Sequence, residues 1–506
     1  MMACRFVIAC CRFLPLRRLC SPRKILLSGC FVFLLVTLNL LSTSDVNYKA
    51  TEIDGLRNVL GWGFWKKTAG KEGKKTNHFV SAEAFFLHRP RNIPLIKVDP
   101  ITDYVYTNGS RHCLKQGTKQ VKERECVCNE RWFGKRCHIP ESIHYSNQLQ
   151  TKTFLKFRKS ARRIVYAAPF NHEFVMLEAI LHDLYDLVDV FIFVESVYTA
   201  YGTRKPLRLL QRLHRGYLKD FHPKIIYLSI DHFPTGGRAK GFIADSYLRS
   251  YLGKFGIPHI KYLKDDDLFL VFDLDEIPSR DSLIFLKVHD GFPEPFGFRM
   301  RWSAFGFFWK HRHFSQIPAG CTIGMLRKVY HDDSNIVRDV HHGVTKNKGN
   351  DFQEYRKQYL VSMWYLGEDG GHFAGWHCSS CFHPEGIRTK FLSAQNADWP
   401  RWGSIKEKMD LNFIKSMIKQ GKWFDGSPLN NRQVNEMVSA ETDSFFAPPY
   451  LMKNYDKFLY LMENPYADDE DVDGEDDDGE NSAVAFADSC LFIRTFCVVG
   501  IFSFIA

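Results

Sequence analysis

Short apolar runs alternate with helical spacing along the middle of the chain. Ile164 to Ala168 reads as a buried strand, and Phe174, Leu177, Leu181, Leu184 and Val188 follow at spacings of three and four, which marks an amphipathic helix. Val190 to Val194, Lys224 to Ser229 and Leu268 to Phe272 continue the strand series, with helical segments near Lys205 to His214 and Phe242 to Leu252 between them. Alternation of this kind predicts an α/β domain with a mostly parallel sheet covered on both faces. Ligands of such sheets bind at the carboxyl ends of the strands, so the residues just after each strand are where chemistry is to be sought.

The hydrophobic pattern differs at the N-terminus. Ile25 to Leu41 is a nearly uninterrupted apolar run of about the minimum length that spans a bilayer. Arg5, Arg12, Arg17, Arg18, Arg23 and Lys24 precede it, and no acid occurs before Asp45, so the positive-inside bias predicts a cytosolic N-terminus and a lumenal remainder. Ser42 and Ser44 would pass as a cleavage site, but the basic region is long for a signal peptide, and an uncleaved signal-anchor is the reading adopted. The expected organisation is a cytosolic tail (1–24), a type II transmembrane signal-anchor (25–41), a polar stem (42–110), a small disulfide module (111–140), a catalytic domain (160–466) and an acidic tail with a short apolar end (467–506).

Cysteine usage agrees with a lumenal compartment. Cys113, Cys126, Cys128 and Cys137 have the C-x-C-x5-G-x2-C ending of an EGF-like half-module, in which two interlocked disulfides and a Gly turn staple a segment too short to build its own core. Spacing leaves their pairing open, and an oxidising lumen favours disulfides over a zinc site. Cys378-Ser379-Ser380-Cys381 lacks the βαβ context of a thioredoxin-like motif, so disulfides with partners such as Cys321 are expected there. Asn108-Gly109-Ser110 is a glycosylation sequon in the stem.

Composition narrows the function classes. The formal charge of +11 is spread along the chain and is not interleaved with stacking aromatics, which argues against nucleic acid as a partner and suits an enzyme that binds an anionic diphosphate. Asp469-Glu470-Asp471-Val472-Asp473-Gly474 with Glu480 matches an EF-hand loop in form, yet Pro465 breaks the preceding helix and Asp476 stands where an apolar residue belongs. A solvated acidic tail is therefore expected instead.

The candidate chemistry lies at the end of LFLVF, which runs directly into Asp273-Leu274-Asp275-Glu276. Two carboxylates one residue apart at the end of a buried strand are costly unless a cation occupies the crevice. In D-x-D spacing both side chains face one side, where they can hold a divalent ion that keeps positions open for diphosphate oxygens. Asp265-Asp266-Asp267, just upstream, reads as an ordinary surface triplet.

The stretches NHEFVMLEAILHDL, VESVYTAYG, DHFPTGGR, FIADSYLR, FDLDEIPSRD, FGFFWK, HFAGWHCSSCF, SAQNADWPRWG and APPYLMKNYD, in that order, resemble the β-1,4-mannosyl-glycoprotein 4-β-N-acetylglucosaminyltransferase family, also called N-acetylglucosaminyltransferase III, which adds the bisecting GlcNAc of N-glycans. The resemblance covers roughly Cys113 to Tyr466. It implies a GT-A-like fold, UDP-GlcNAc as donor, Mn2+ as metal and inverting transfer to the core β-mannose of N-glycan acceptors. It also implies a Golgi membrane location, with a homodimer as a further expectation. Asp273 and Asp275 match the family's essential aspartate pair, although Phe272 stands where another acid is expected, and the acidic tail looks foreign to the family.

Further roles follow more loosely. Inversion needs a carboxylate base, for which Asp245, Glu276, Asp281 and Asp398 are candidates alongside capping or ion-pair roles. Asn171, Glu173, Glu195 and Ser196 follow the first two strands, where the nucleotide would be read, with a helix N-terminal charge as the alternative for Glu173. Arg249 would reach the diphosphate or simply pair with Asp245 one helical turn away. His377 or His372 completes the metal or phosphate site on this reading. Trp302, Phe307, Phe308, Trp309, Trp376 and Trp399 are sugar-stacking or core residues. Two competing readings stay open: a related inverting transferase with another donor or acceptor, and an inactive lumenal glycan-binding or adhesion protein.

Overall fold

The computed structural model describes residues 90–468 apart from 109–110, 124, 147–154, 239, 340–342, 345, 348, 369, 394–400 and 426–435. The expected cytosolic tail, signal-anchor, acidic tail and apolar end lie outside the described residues. So do most of the stem, the sequon side chain at Asn108, and Asp398 and Trp399.

One large sheet organises the described chain. In chain order its strands and the helices that matter here are β1 (Ile164–Phe170), α1 (Phe174–Leu184), β2 (Val190–Ser196), α2 (Arg208–His214), β3 (Ile225–Ile230), α3 (Gly241–Tyr251), β4 (Leu268–Val271), β5 (Glu276–Pro278), α4 (Arg280–Val288), β6 (Glu294–Ala304), β7 (Gly306–Thr322), α5 (Ser334–Arg338), β8 (Val361–Leu366), β9 (Gly375–Ser379), α6 (Pro384–Leu392) and β10 (Glu436–Met437). The sheet order is β3-β2-β1-β4-β7-β6-β9-β5, with β8 paired to β6 and β10 to β7. Strands β3, β2, β1 and β4 run parallel, as the alternating pattern predicts.

Beyond β4 the prediction needs correction, because β7 is antiparallel to both β4 and β6. The sheet is therefore mixed. Only Phe305 separates β6 from β7, and a connection that short can join only antiparallel strands. Phe305 makes the turn at a φ of 64°, in the left-handed region, so no Asn-Gly or Gly-rich signal marks this hairpin in the sequence.

The apolar alternation of β1 supplies both faces. Ile164, Tyr166, Ala168 and Phe170 join one core with α1, α2 and α4, while Val165 and Ala167 join a second core with Ile192, Ile226 and Met325. A strand buried on both sides needs no polar face, which is why its sequence is a continuous apolar run.

The cysteine module is stapled by Cys113–Cys126 and Cys128–Cys137. These bridges close consecutive loops and do not interlock. The module also has no core of its own, since its Val105, Leu114, Trp132, Ile139 and Ile143 pack into the same apolar cluster as α1 and α4.

At this seam His138 meets His289, with ring nitrogens 2.8 Å apart beside Phe157 and Phe285. Burial, and then a neighbouring positive charge, pushes His138 down to about 4 and His289 down to about 3. Both folded values lie below the ordinary 6.5, so the unfolded chain binds more protons between them. The pair's contribution is whole above about pH 6.5 and is lost as pH falls from there, toward about 4 for His138 and about 3 for His289. The thermal midpoint of the wild-type chain should drop across that window, and that of His138→Phe should drop less. Equal slopes in calorimetry across the window would remove the pair from the account.

Candidate functional site

The turn from β4 to β5 carries the acidic motif. Phe272 and Leu274 are buried in the core, which leaves Asp273 and Asp275 on the opposite side. The turn closes on itself: the Asp273 N–H donates to Glu276 Oε2 at 2.8 Å, and the Glu276 N–H donates to the Asp273 carbonyl at 3.0 Å. Strand β5 in turn pairs with β9, which sets Glu276 opposite His377. Gly375 permits this approach, because a Cβ there would stand 2.3 Å from the Ile277 carbonyl oxygen.

Three cations hold these acids. Arg249, on α3, donates to Asp273 Oδ2 at 2.7 Å and to Asp245 at 2.5 Å. Arg338, at the end of α5, clasps Glu276 through two bonds of 2.8 Å and lies 3.6 Å from Asp273. Lys390, on α6, donates to Asp275 Oδ2 at 3.1 Å, while Asp275 Oδ1 lies 4.0 Å from His377 Nε2.

Burial alone would push Asp273, Glu276 and Asp245 up. For Asp273 the two guanidiniums outweigh it and hold the carboxyl far below its ordinary range. For Glu276 and Asp245 burial prevails and their pKa values are raised despite Arg338 and Arg249. Conversely, burial would lower Lys390, but Asp275 keeps it raised and protonated.

A cleft opens beside this cluster at the carboxyl ends of β1, β2 and β3. It encloses about 570 Å³ of empty space, partly open to solvent, and is lined by residues that include Asn171, Ser196, Tyr198, Lys205, Phe233 and Asp245. Asn171 follows β1 and Ser196 ends β2, so both face the crevice expected of such a sheet.

Glu173 and Glu195 have other tasks. Glu173 Oε2 accepts from the backbone N–H groups of Asn171 and His172, shaping the turn into α1. Glu195 is fully buried and accepts from the N–H groups of Leu209 and Leu210 and from the Tyr227 hydroxyl, which caps α2. Neither needs a ligand to account for its charge.

Other expectations also shift. Asp281 accepts from Gln116 of the cysteine module at 3.2 Å, and His372 pairs with Glu141 at 3.0 Å and stacks on Tyr145, so both belong to the seam with the module. Phe307, Phe308, Trp309 and Trp376 are core residues. Of the described sugar-stacking candidates only Trp302 is half-buried, with its indole N–H on Ser379 Oγ at 2.9 Å, and Ser379 Oγ lies 3.2 Å from His377 Nε2.

Cys378 and Cys381 pair with each other, and Cys321 is buried and, among the described residues, unpaired. The expected partnership of Cys321 with the motif is thereby corrected. Cys321 lies on β7 opposite Phe269 of β4, in the second core, whereas Cys378 and Cys381 belong to the first. The Cys378 N–H also donates to the Asp275 carbonyl at 2.9 Å, so the bridged turn abuts the acidic motif.

Among the described residues no group of three or more His, Cys, Asp and Glu side chains is gathered around one point as a complete metal cage. The donor chemistry nonetheless fits a divalent ion that takes its remaining ligands from a diphosphate. Asp275 Oδ1 and the His377 imidazole face each other across 4.0 Å, a carboxylate and nitrogen set that Mn2+ accepts. Asp273 is the less available member of the expected trio, because Arg249 bonds both of its oxygens. Sequence reasoning missed Arg338 and Lys390 altogether.

Comparison with known proteins gives consistent matches. Residues 137–318 match the model of glycosyltransferase family 17. The β-1,4-mannosyl-glycoprotein 4-β-N-acetylglucosaminyltransferase of Rattus norvegicus is 44% identical over 376 residues, covering 73% of this chain and 68% of that protein. The Homo sapiens protein of the same name is 44% identical over 344 residues, covering 68% of this chain and 62% of its own. Among solved structures, the glycosyltransferase GlyE of Streptococcus pneumoniae TIGR4 overlaps 60% of this chain and 61% of its own at 12% identity. Its TM-score of 0.19 is too low to support a common fold.

Proposed function

The chain belongs to the β-1,4-mannosyl-glycoprotein 4-β-N-acetylglucosaminyltransferase family, and we propose that it performs that reaction with UDP-GlcNAc as donor, a GT-A-like catalytic domain and an inverting, Mn2+-assisted displacement. It is a glycosyltransferase that takes a nucleotide-sugar donor and places GlcNAc on the core β-mannose of N-glycans, forming the bisecting branch. The observation that supports the mechanistic reading is the join between two features. The strand-end cleft reaches Asp245, and Asp245 is tied through Arg249 to Asp273.

The chain's own residues divide the work. Asn171 and Ser196 border the space for the nucleoside. Arg249, Arg338 and Lys390 offset most of the charge of the four acids, and the two guanidiniums hold Asp273 ionised in a partly dry site. Asp275 and His377 would hold the divalent ion, with Asp273 fixing Arg249 beside them. When bound, that ion supplies neutralising charge for the departing diphosphate.

The choice of base narrows on geometry. Glu276 is clasped by Arg338, and Asp281 faces the module. Asp245 is bonded by Arg249 on the wall of the nucleotide cleft, on the leaving-group side, where a part in nucleotide binding suits it better than that of the base.

We further propose a single-pass type II Golgi membrane protein with its catalytic domain lumenal. Support comes from the basic-flanked apolar run at Ile25 to Leu41 and from three disulfides of the kind that form and persist in an oxidising compartment.

Incubating the full-length chain with UDP-GlcNAc and a biantennary N-glycan should give one added HexNAc, β-1,4-linked to the core mannose by linkage analysis. EDTA should abolish turnover and Mn2+ restore it. A different branch point would overturn the acceptor assignment, and undiminished turnover in EDTA would overturn the metal.

A further inference from the structure

Lys205 stands out among the residues of the cleft. It precedes α2, and its side chain is 7% exposed. Among the described residues its ammonium has no hydrogen-bond partner. The nearest opposite charge is Glu195 Oε1 at 4.0 Å, beyond hydrogen-bond reach. That carboxylate is already engaged by the N–H groups of Leu209 and Leu210 and by the Tyr227 hydroxyl.

A buried ammonium with three donors and no acceptor is an expensive arrangement, and burial lowers its pKa despite the nearby Glu195. The same side chain lines the cleft that Asn171, Ser196 and Asp245 border, together with the rings of Tyr198, Phe233 and Tyr247. An apolar cleft with aromatic walls and one unsatisfied donor is matched by a planar heterocycle that carries oxygen acceptors, or by a phosphate at its mouth.

We propose that Lys205 binds the donor nucleotide by donating a hydrogen bond to an acceptor oxygen of it, either a carbonyl of the base or a phosphate oxygen. The assignment rests on the nucleotide-sugar reading above. It makes Lys205 a binding residue that no D-x-D or strand-end argument singles out. Because the ammonium offers only donors, a base that presents an amino group at the contacted position is disfavoured there.

The test is to measure inhibition constants of uridine, UMP and UDP on the full-length wild-type chain and on Lys205→Met, which keeps the length and apolar stem of the side chain. Loss of a charged hydrogen bond should weaken binding on the order of ten- to a hundredfold. Equal losses for all three probes assign the contact to the base. A loss for UMP and UDP without one for uridine assigns it to phosphate. The KM for UDP-GlcNAc should rise while the KM for the glycan acceptor stays put, a split that a purely structural partner of Glu195 would not produce.

If Lys205→Met fails to fold, Lys205→Gln retains a donor of similar length beside Glu195 and should show the same ranking of probes with smaller losses. Unchanged constants for all three probes in a folded variant would overturn the assignment. Failure of the wild-type chain itself to bind UDP would instead defeat the nucleotide-sugar reading on which it stands.

Discussion

Asp275→Asn should reduce the turnover of GlcNAc transfer by about a thousandfold or more, with the folded chain otherwise intact. Its carboxylate is the one of the acidic motif that still has an oxygen facing His377, and its other oxygen holds Lys390 at 3.1 Å. Removing a preorganised charge of this kind typically costs about a hundred- to a thousandfold, and loss of a metal ligand adds to that. Asparagine is the informative substitution because it can still accept from Lys390. Asp275→Ala leaves that buried ammonium without a partner, which mixes a stability loss into the activity loss. Turnover near wild type in well-folded Asp275→Asn would move the metal and the leaving-group chemistry away from this motif.

The position of that motif was legible because the strand before it is continuous and apolar. β1, β2, β3 and β4 each carry runs that a doubly covered strand requires, and the observed elements lie within a few residues of those runs. The carboxyl-end rule then pointed to Asp273 and Asp275, and to Asn171 and Ser196 on the cleft. The same rule also takes in Glu173 and Glu195, whose carboxylates the structure engages locally, Glu173 in the turn into α1 and Glu195 at the start of α2. A carboxylate after a strand can equally serve the backbone N–H groups that follow it.

What local pattern cannot carry is partnership over distance. Glu276 and Arg338 are 62 residues apart, and Asp275 and Lys390 are 115 apart. Neither cation stands in a motif of its own. Arg338 ends a five-residue helix, and Lys390 occupies a helix in which a single lysine looks like surface. Its burial at 3% exposure appears only once α6 is packed against the acidic turn. The β6–β7 hairpin escaped for a related reason, since its turn residue is Phe305 and the strands it joins are set by the sheet rather than by a turn signal.

The largest stability effect should come from Arg338→Met. Glu276 is almost wholly buried, and both of its oxygens accept from Arg338 at 2.8 Å. Truncating the guanidinium leaves a buried carboxylate uncompensated, which costs about 3–5 kcal/mol of unfolding free energy when one partner of such a pair is removed. Burial already raises Glu276 in the intact site, and without Arg338 its folded pKa must rise further above the unfolded value. The folded variant then binds an extra proton over the interval between those values. Its stability is greatest below the unfolded pKa and declines as pH rises through the folded one. The gap between variant and wild type should therefore widen from pH 5 to pH 8 in urea titrations, and Glu276→Gln should narrow it when combined with Arg338→Met. A loss independent of pH, or one that the second substitution leaves untouched, would show that Arg338 stabilises the chain through contacts other than its clasp on Glu276.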